Sequence, residues 1–247
     1  MDKKWRQSLA VLTGGADLWN ASIKSCGLAA LATLLTIPWF HYLLFHVPTH
    51  VPLRTIANPH DLLYAQSALL FVICLMSAMV GYGLMRRFEL PGFGRIDAWL
   101  GSLPTLLAIG LLLLLVSQWV FDGDSYRISP AAGPDKLFYL LAIPLNAAIT
   151  DEMILRFGFV TIAVGLCRNK LRGVVLAALF AVMLTEKYFT YIGVYAGLDY
   201  VTASRFVFSF FINFLLGYLF VTRGLLSSMT VNLVLGLRYP MAALMGG

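Results

Sequence analysis

Long apolar runs separated by short polar connections organise the whole chain. A run of about 18 or more residues with few charges suggests a helix that crosses a membrane. Seven such runs lie near residues 25–45, 63–85, 98–121, 137–166, 173–195, 206–222 and 224–245. The fourth is long enough to tilt or kink, and Pro144 offers a place to do so. The first is too long and starts too late for a cleavable signal peptide, and it lacks a small-residue cleavage site. The residues before it carry Trp5 and Trp19 among Lys3, Lys4 and Arg6, a composition expected to lie along a membrane surface. The connections at 46–62 and 122–136, with their Pro, Asp and Gly residues, are the only sizeable ones. This predicts an all-α integral membrane protein with about seven transmembrane helices. Its expected parts are an interfacial segment (1–24), a three-helix membrane region (25–136) and a membrane core (137–247).

Composition agrees. Hydrophobic residues make up 60% of the 247 and charged residues 12%, against roughly 25% charged in a soluble domain. Mean hydropathy is +0.81. Lysine and arginine are uneven between the connections: eleven fall on the side of the N-terminus, including Lys24, Arg86, Arg87, Arg95, Arg168, Lys170, Arg172 and Arg223. Four fall on the other side, Arg54, Arg127, Lys136 and Arg205. The basic side faces the cytoplasm, which predicts an N-terminus inside and, with seven spans, a C-terminus outside. The net charge of +6 then reflects loops that meet anionic lipid headgroups. No basic–aromatic stretch stands free of the membrane, so nucleic acid is excluded as a partner. Cys26, Cys74 and Cys167 sit in or at the ends of separate spans without a CxxC pair and read as small apolar fillers.

The stretch TDEMILRF, residues 150–157, breaks the apolar pattern. By the span map Asp151, Glu152, Arg156, Glu186, Lys187 and Arg238 all lie within spans. A lone charge at that depth costs ~2.5–3.5 kcal/mol on insertion scales, so such groups face protein or water. Glu152 and Arg156 stand at i,i+4, where a carboxylate meets a guanidinium, while Asp151 points about 100° away on an α-helix. One reading makes these charges interhelical glue, with Glu186 paired to Lys187 or Arg238. Asn146 and Asn213 read as interhelical hydrogen bonders. His41, His46 and His50 straddle a helix end and a Pro-containing loop, and are expected as interfacial residues. The region 137–240 has no histidine and only Cys167, so no metal or other cofactor is expected there.

DEMILRFGF resembles the EExxxR motif of the CPBP family, the CAAX prenyl proteases and bacteriocin-processing membrane proteins. LAALFAVML is similar to the family's second motif, a phenylalanine followed four residues later by a histidine. NFLLGYLFVTRGLLSSMTVNLVLG is similar to the third, in which a Gly-rich turn leads to a histidine and, four residues on, to Asn or Asp. The resemblance covers about residues 137–240 and implies a CPBP-like helical bundle in a bacterial cytoplasmic membrane. It also implies an intramembrane peptidase acting on membrane-bound or lipidated peptides, in which a carboxylate activates water. This chain departs from the pattern: the first glutamate is Asp151, the histidines fall on Leu184 and Asn232, and the last Asn/Asp position falls on Gly236. Under the peptidase reading Asp151 or Glu152 activates water, Arg156 positions the carboxylate, Glu186 supplies a second carboxylate and Asn232 holds the oxyanion. Under the alternative, a pseudo-peptidase, the same helices bind a transmembrane or lipidated partner without cutting it.

Overall fold

Lipid offers no hydrogen bonds to the backbone, so an apolar chain must satisfy its N–H and C=O groups internally, and helices do this within one segment. Every described element is helical. The computed structural model describes the backbone of residues 15–45, 58–128, 141–191 and 200–245. Side chains are described over 21–42, 44–45, 58–120, 141–184 and 203–241. In chain order the helices are α1 (Gly15–Phe45), α2 (Pro59–Leu84), α3 (Ile96–Ile128), the π-wound α4 (Ala147–Val160), α5 (Thr161–Cys167), α6 (Lys170–Tyr191), α7 (Tyr200–Arg223), α8 (Leu225–Gly236) and α9 (Arg238–Met245). Residues 141–146 are also helical and lead into α4.

Among the described residues four helices are long and apolar enough to cross a membrane: Ala21–Tyr42, Pro59–Leu84, Ile96–Val120 and Ala203–Arg223. They correspond to the first, second, third and sixth expected spans. Leu34, Met76, Leu115 and Trp119 are exposed on these helices. Extended apolar faces of this kind are rare on water-soluble proteins, and contact with the lipid bilayer accounts for them. The first helix begins at Gly15, so the run-up to the first span is helical earlier than the expected boundary.

The expected seventh span, 224–245, is not one helix. It is divided at Leu237 into α8 and α9. α8 has 12 residues, a length of about 18 Å against a hydrocarbon core of about 30 Å. Two local causes are visible. Leu237 N donates to Val234 O at 3.1 Å, which tightens the last turn, and Gly236 is pressed against the backbone of Pro144, where an added Cβ would meet Pro144 Cα at 2.7 Å.

α4 lies at the centre. It packs against α1 and α2 on one side, α6 and α7 on another and α8 on a third, while α3 covers the far side of α8. Small residues let the first pair close up: Ala29 and Ala32 of α1 meet Cys74 and Ala78 of α2 together with Met153. Phe157 fills the centre of a second cluster, with its ring edge-on to Tyr82 (5.2 Å) and Phe220 (6.4 Å), and it lies against Gly81, where no side chain would fit.

The connections expected on one side of the membrane gather at one end of the bundle. Lys170 Nζ donates to Glu89 O at 2.8 Å, and the Phe88 ring covers Gly165. Leu225 N donates to Gly92 O at 2.8 Å and Leu226 N to Phe93 O at 3.2 Å. Arg86, Arg95, Arg168, Lys170, Arg172 and Arg223 are exposed there. Arg205 lies at the opposite end, where its Nε donates to Val120 O at 3.3 Å, close to where Gln118 Nε2 donates to Arg238 O at 3.0 Å. Among the described residues, the basic connections expected on one side thus share one end of the bundle.

Candidate functional site

The site is built where α8 crosses the first turns of α4. Glu152 is fully buried, Arg156 is 2% exposed and Asn232 is 9% exposed. Asn232 Nδ2 donates to Glu152 Oε1 at 2.9 Å and to Ala147 O at 2.9 Å. A primary amide has two N–H donors, so both are committed. The bond to Ala147 O also ties α8 to the first residue of the π-wound segment. Such segments occur mostly as short interruptions at functional positions, and this one places Glu152, Met153, Arg156 and Phe157 in the interior together.

Arg156 Nε approaches Glu152 Oε1 at 3.5 Å. The expected i,i+4 pair is formed as a charge contact, without hydrogen-bond geometry, and Arg156 Nε has no hydrogen-bond partner among the described residues. Ser228 stands near the same carboxylate, but its hydroxyl donates to Leu225 O at 3.0 Å. Glu152 Oε2 is consequently left without a donor among the described residues. A buried polar atom without a partner costs on the order of 1–3 kcal/mol, so this oxygen and the guanidinium mark where a water or a ligand atom gains most.

A second polar cluster adjoins the first. Thr36 Oγ1 of α1 lies 2.8 Å from Asn146 Oδ1, 2.8 Å from Thr150 Oγ1 and 2.8 Å from its own turn's Ala32 O. It bridges α1 to the start of α4 within two residues of Glu152. Asn146 therefore makes the interhelical bond expected of it. Asn213 does not: its amide donates to Ser209 O at 2.9 Å within its own helix, because an i−4 carbonyl is always within reach of a short polar side chain on a helix.

The remaining predicted residues separate clearly. Asp151 is half-buried and makes no hydrogen bond or ion pair among the described residues; its charge is felt at Cys74 on α2, away from Asn232. Leu184 is 47% exposed, two turns beyond the buried Ala177 and on nearly the same face of α6. Glu186, with the pairing and acid/base role proposed for it, and Lys187 lie outside the described side chains. Arg238 Nη2 bonds to Tyr239 Oη at 2.6 Å and lies over that ring at 4.7 Å. His41 stacks on Phe45 at 4.5 Å, and His46 and His50 lie outside the described residues.

Thr36, Thr150 and Ser228 belong to the site and escaped the sequence reading. Isolated hydroxyls in apolar helices ordinarily satisfy themselves on the preceding turn, so only the charges next to Thr150 could have drawn attention to it. No protein-family model, curated protein or solved structure matches the chain.

Proposed function

We infer that this is a CPBP-like membrane protein of about seven spans that works as a pseudo-peptidase: a helical receptor for a transmembrane or lipidated partner, without cleavage. The observation that carries the reading is the state of Asn232. Its two donors are already taken by Glu152 and Ala147 O, so it has none left for a developing oxyanion, whose stabilisation needs donors aimed at the place where charge appears. Glu152 is fully enclosed, and the hydroxyl nearest it, Ser228, donates to Leu225 O. Both features support a carboxylate that organises the helices over one that activates water. The basic end faces the cytoplasm in this reading, with the N-terminus inside.

One observation favours the peptidase reading. Asp151 is half-buried and without a hydrogen-bond or ion-pair partner, and a carboxylate in that state can take a proton from water. A pull-down in mild detergent, with mass spectrometry of what co-purifies, separates the two. Wild type and Asp151→Asn/Glu152→Gln are compared. A partner recovered intact with both forms supports the receptor. A partner shortened only by the wild type refutes it and makes Asp151 the general base.

A further inference from the structure

We propose that Arg95 and Arg223 form a clamp for the phosphate of an anionic phospholipid headgroup at the basic end of the bundle. Their nearness follows from a backbone contact between distant parts of the chain. Gly94 (φ +88) and Gly224 (φ +101) are in direct contact, and the space a Cβ on Gly94 would need is occupied by Arg223 O. Only glycine takes such backbone angles readily and lets two main chains approach so closely. Arg95 follows one glycine and Arg223 precedes the other, so each stands about 3.8 Å along the chain from the contact. The bonds from Leu225 N to Gly92 O and from Leu226 N to Phe93 O hold the two segments in register. Both arginines are exposed, and neither side chain forms an ion pair or hydrogen bond among the described residues. Glu89 and Asp97 are the acidic side chains described at this end, and neither is ion-paired. A planar guanidinium presents a fork that matches phosphate oxygens, and two such forks rooted on touching backbone segments can reach one phosphate. The occupant is a lipid and not a soluble anion, because the contact lies at the end of helices whose outward faces are apolar, where headgroups sit. This clamp is independent of the site around Glu152 and of whether the protein cleaves anything.

The experiment is lipid competition read by native mass spectrometry. Purified protein is incubated with equal amounts of phosphatidylglycerol and phosphatidylcholine of the same acyl chains, and the retained lipid is counted. A basic residue near an anionic surface contributes about 1 kcal/mol, or roughly five-fold, so Arg95→Gln/Arg223→Gln is expected to lose about 30-fold of the preference for phosphatidylglycerol. Arg205→Gln, at the opposite end, is expected to keep it. In the wild type the preference falls as salt is raised, since an exposed charge contact is screened. This second measurement decides the matter if the double variant does not fold. Equal retention of the two lipids by wild type overturns the proposal, as does a double variant with undiminished preference. Displacement of the lipid by inorganic phosphate at equal concentration also overturns it, in favour of a soluble anion site.

Discussion

Replacing Asn232 by leucine keeps the volume and removes both amide donors. It leaves Glu152 Oε1, fully buried, and Ala147 O without the 2.9 Å bonds they now receive. Side-chain hydrogen bonds within membrane bundles average about 0.6 kcal/mol and reach about 1.7 kcal/mol. Bonds to a charged group in soluble proteins reach about 1.5–3 kcal/mol. Apart from Ser228, whose hydroxyl also donates to Leu225 O, Glu152 has no other hydrogen-bond donor among the described residues, so its bond to Asn232 belongs at the upper end of the membrane range. The two bonds together are expected to contribute about 2–3 kcal/mol, a shift of roughly 30- to 150-fold in the unfolding equilibrium. The assay is reversible unfolding in mixed micelles with increasing denaturing detergent, followed by circular dichroism. A double-mutant cycle with Glu152→Leu isolates the contact, and a coupling of about 1–2 kcal/mol is expected. A coupling below about 0.5 kcal/mol, within the scatter of independent sites, refutes the contact and with it the argument that Asn232 has no donor to spare.

Three further outcomes follow from the same geometry. Arg156→Leu leaves Glu152 without its countercharge and is expected to cost on the order of 3–5 kcal/mol as judged from soluble hosts, read as lost folded yield; adding Glu152→Gln restores part of it, and unchanged yield in the single variant places the guanidinium in water. Gly224→Ala puts a Cβ into the Gly94 backbone at φ +101 and is expected to destabilise by at least about 1–2 kcal/mol, the cost of left-handed backbone alone; an unaltered unfolding midpoint would show that the contact is not formed. Reporter fusions at Arg87 and Arg172 should both give cytoplasmic signals and one at Gly247 an external signal, and a split result for the first two would separate connections that the fold brings together.

The helical class, four of the expected spans and the gathering of basic connections at one end were legible because hydropathy and charge act over many residues. The division of the last span was not. Gly236 and Leu237 sit in a continuous apolar run, and only the approach of Pro144 from another helix makes the break useful. The Glu152–Arg156 contact was legible because i,i+4 spacing is local to one helix. Asn232, read from the sequence as holding an oxyanion, meets the same contact through its amide. The sequence suggests an amide free to meet a substrate, whereas tertiary packing spends both its donors on α4. Thr36 contributes more than 100 residues away from its partner Thr150, a separation at which no periodicity carries information.

Asp151 and Glu152 are neighbours in the chain with opposite consequences for stability, and that contrast offers the sharpest remaining prediction. Glu152 receives a hydrogen bond and a countercharge. Asp151 receives no hydrogen bond and forms no ion pair among the described residues, although it lies within the same central helix, is half-buried and stands within the field of Arg156. An ionised group at membrane depth costs about 2.5–3.5 kcal/mol on insertion scales unless water or a partner meets it. Asp151→Asn removes that charge with almost no change of shape, so it is expected to leave the unfolding midpoint unchanged or to raise it, while Glu152→Leu lowers it. Groups that work against stability are characteristic of sites with a task, so under the peptidase reading the same Asp151→Asn variant is expected to lose cleavage of the co-purifying partner, whereas a receptor keeps the partner intact in both forms. Both readouts are needed. A loss of stability above about 1 kcal/mol would mean that Asp151 has a structural partner, since substitutions away from such features stay within about ±0.5 kcal/mol. Unchanged stability together with cleavage that persists in Asp151→Asn would remove Asp151 as a general base.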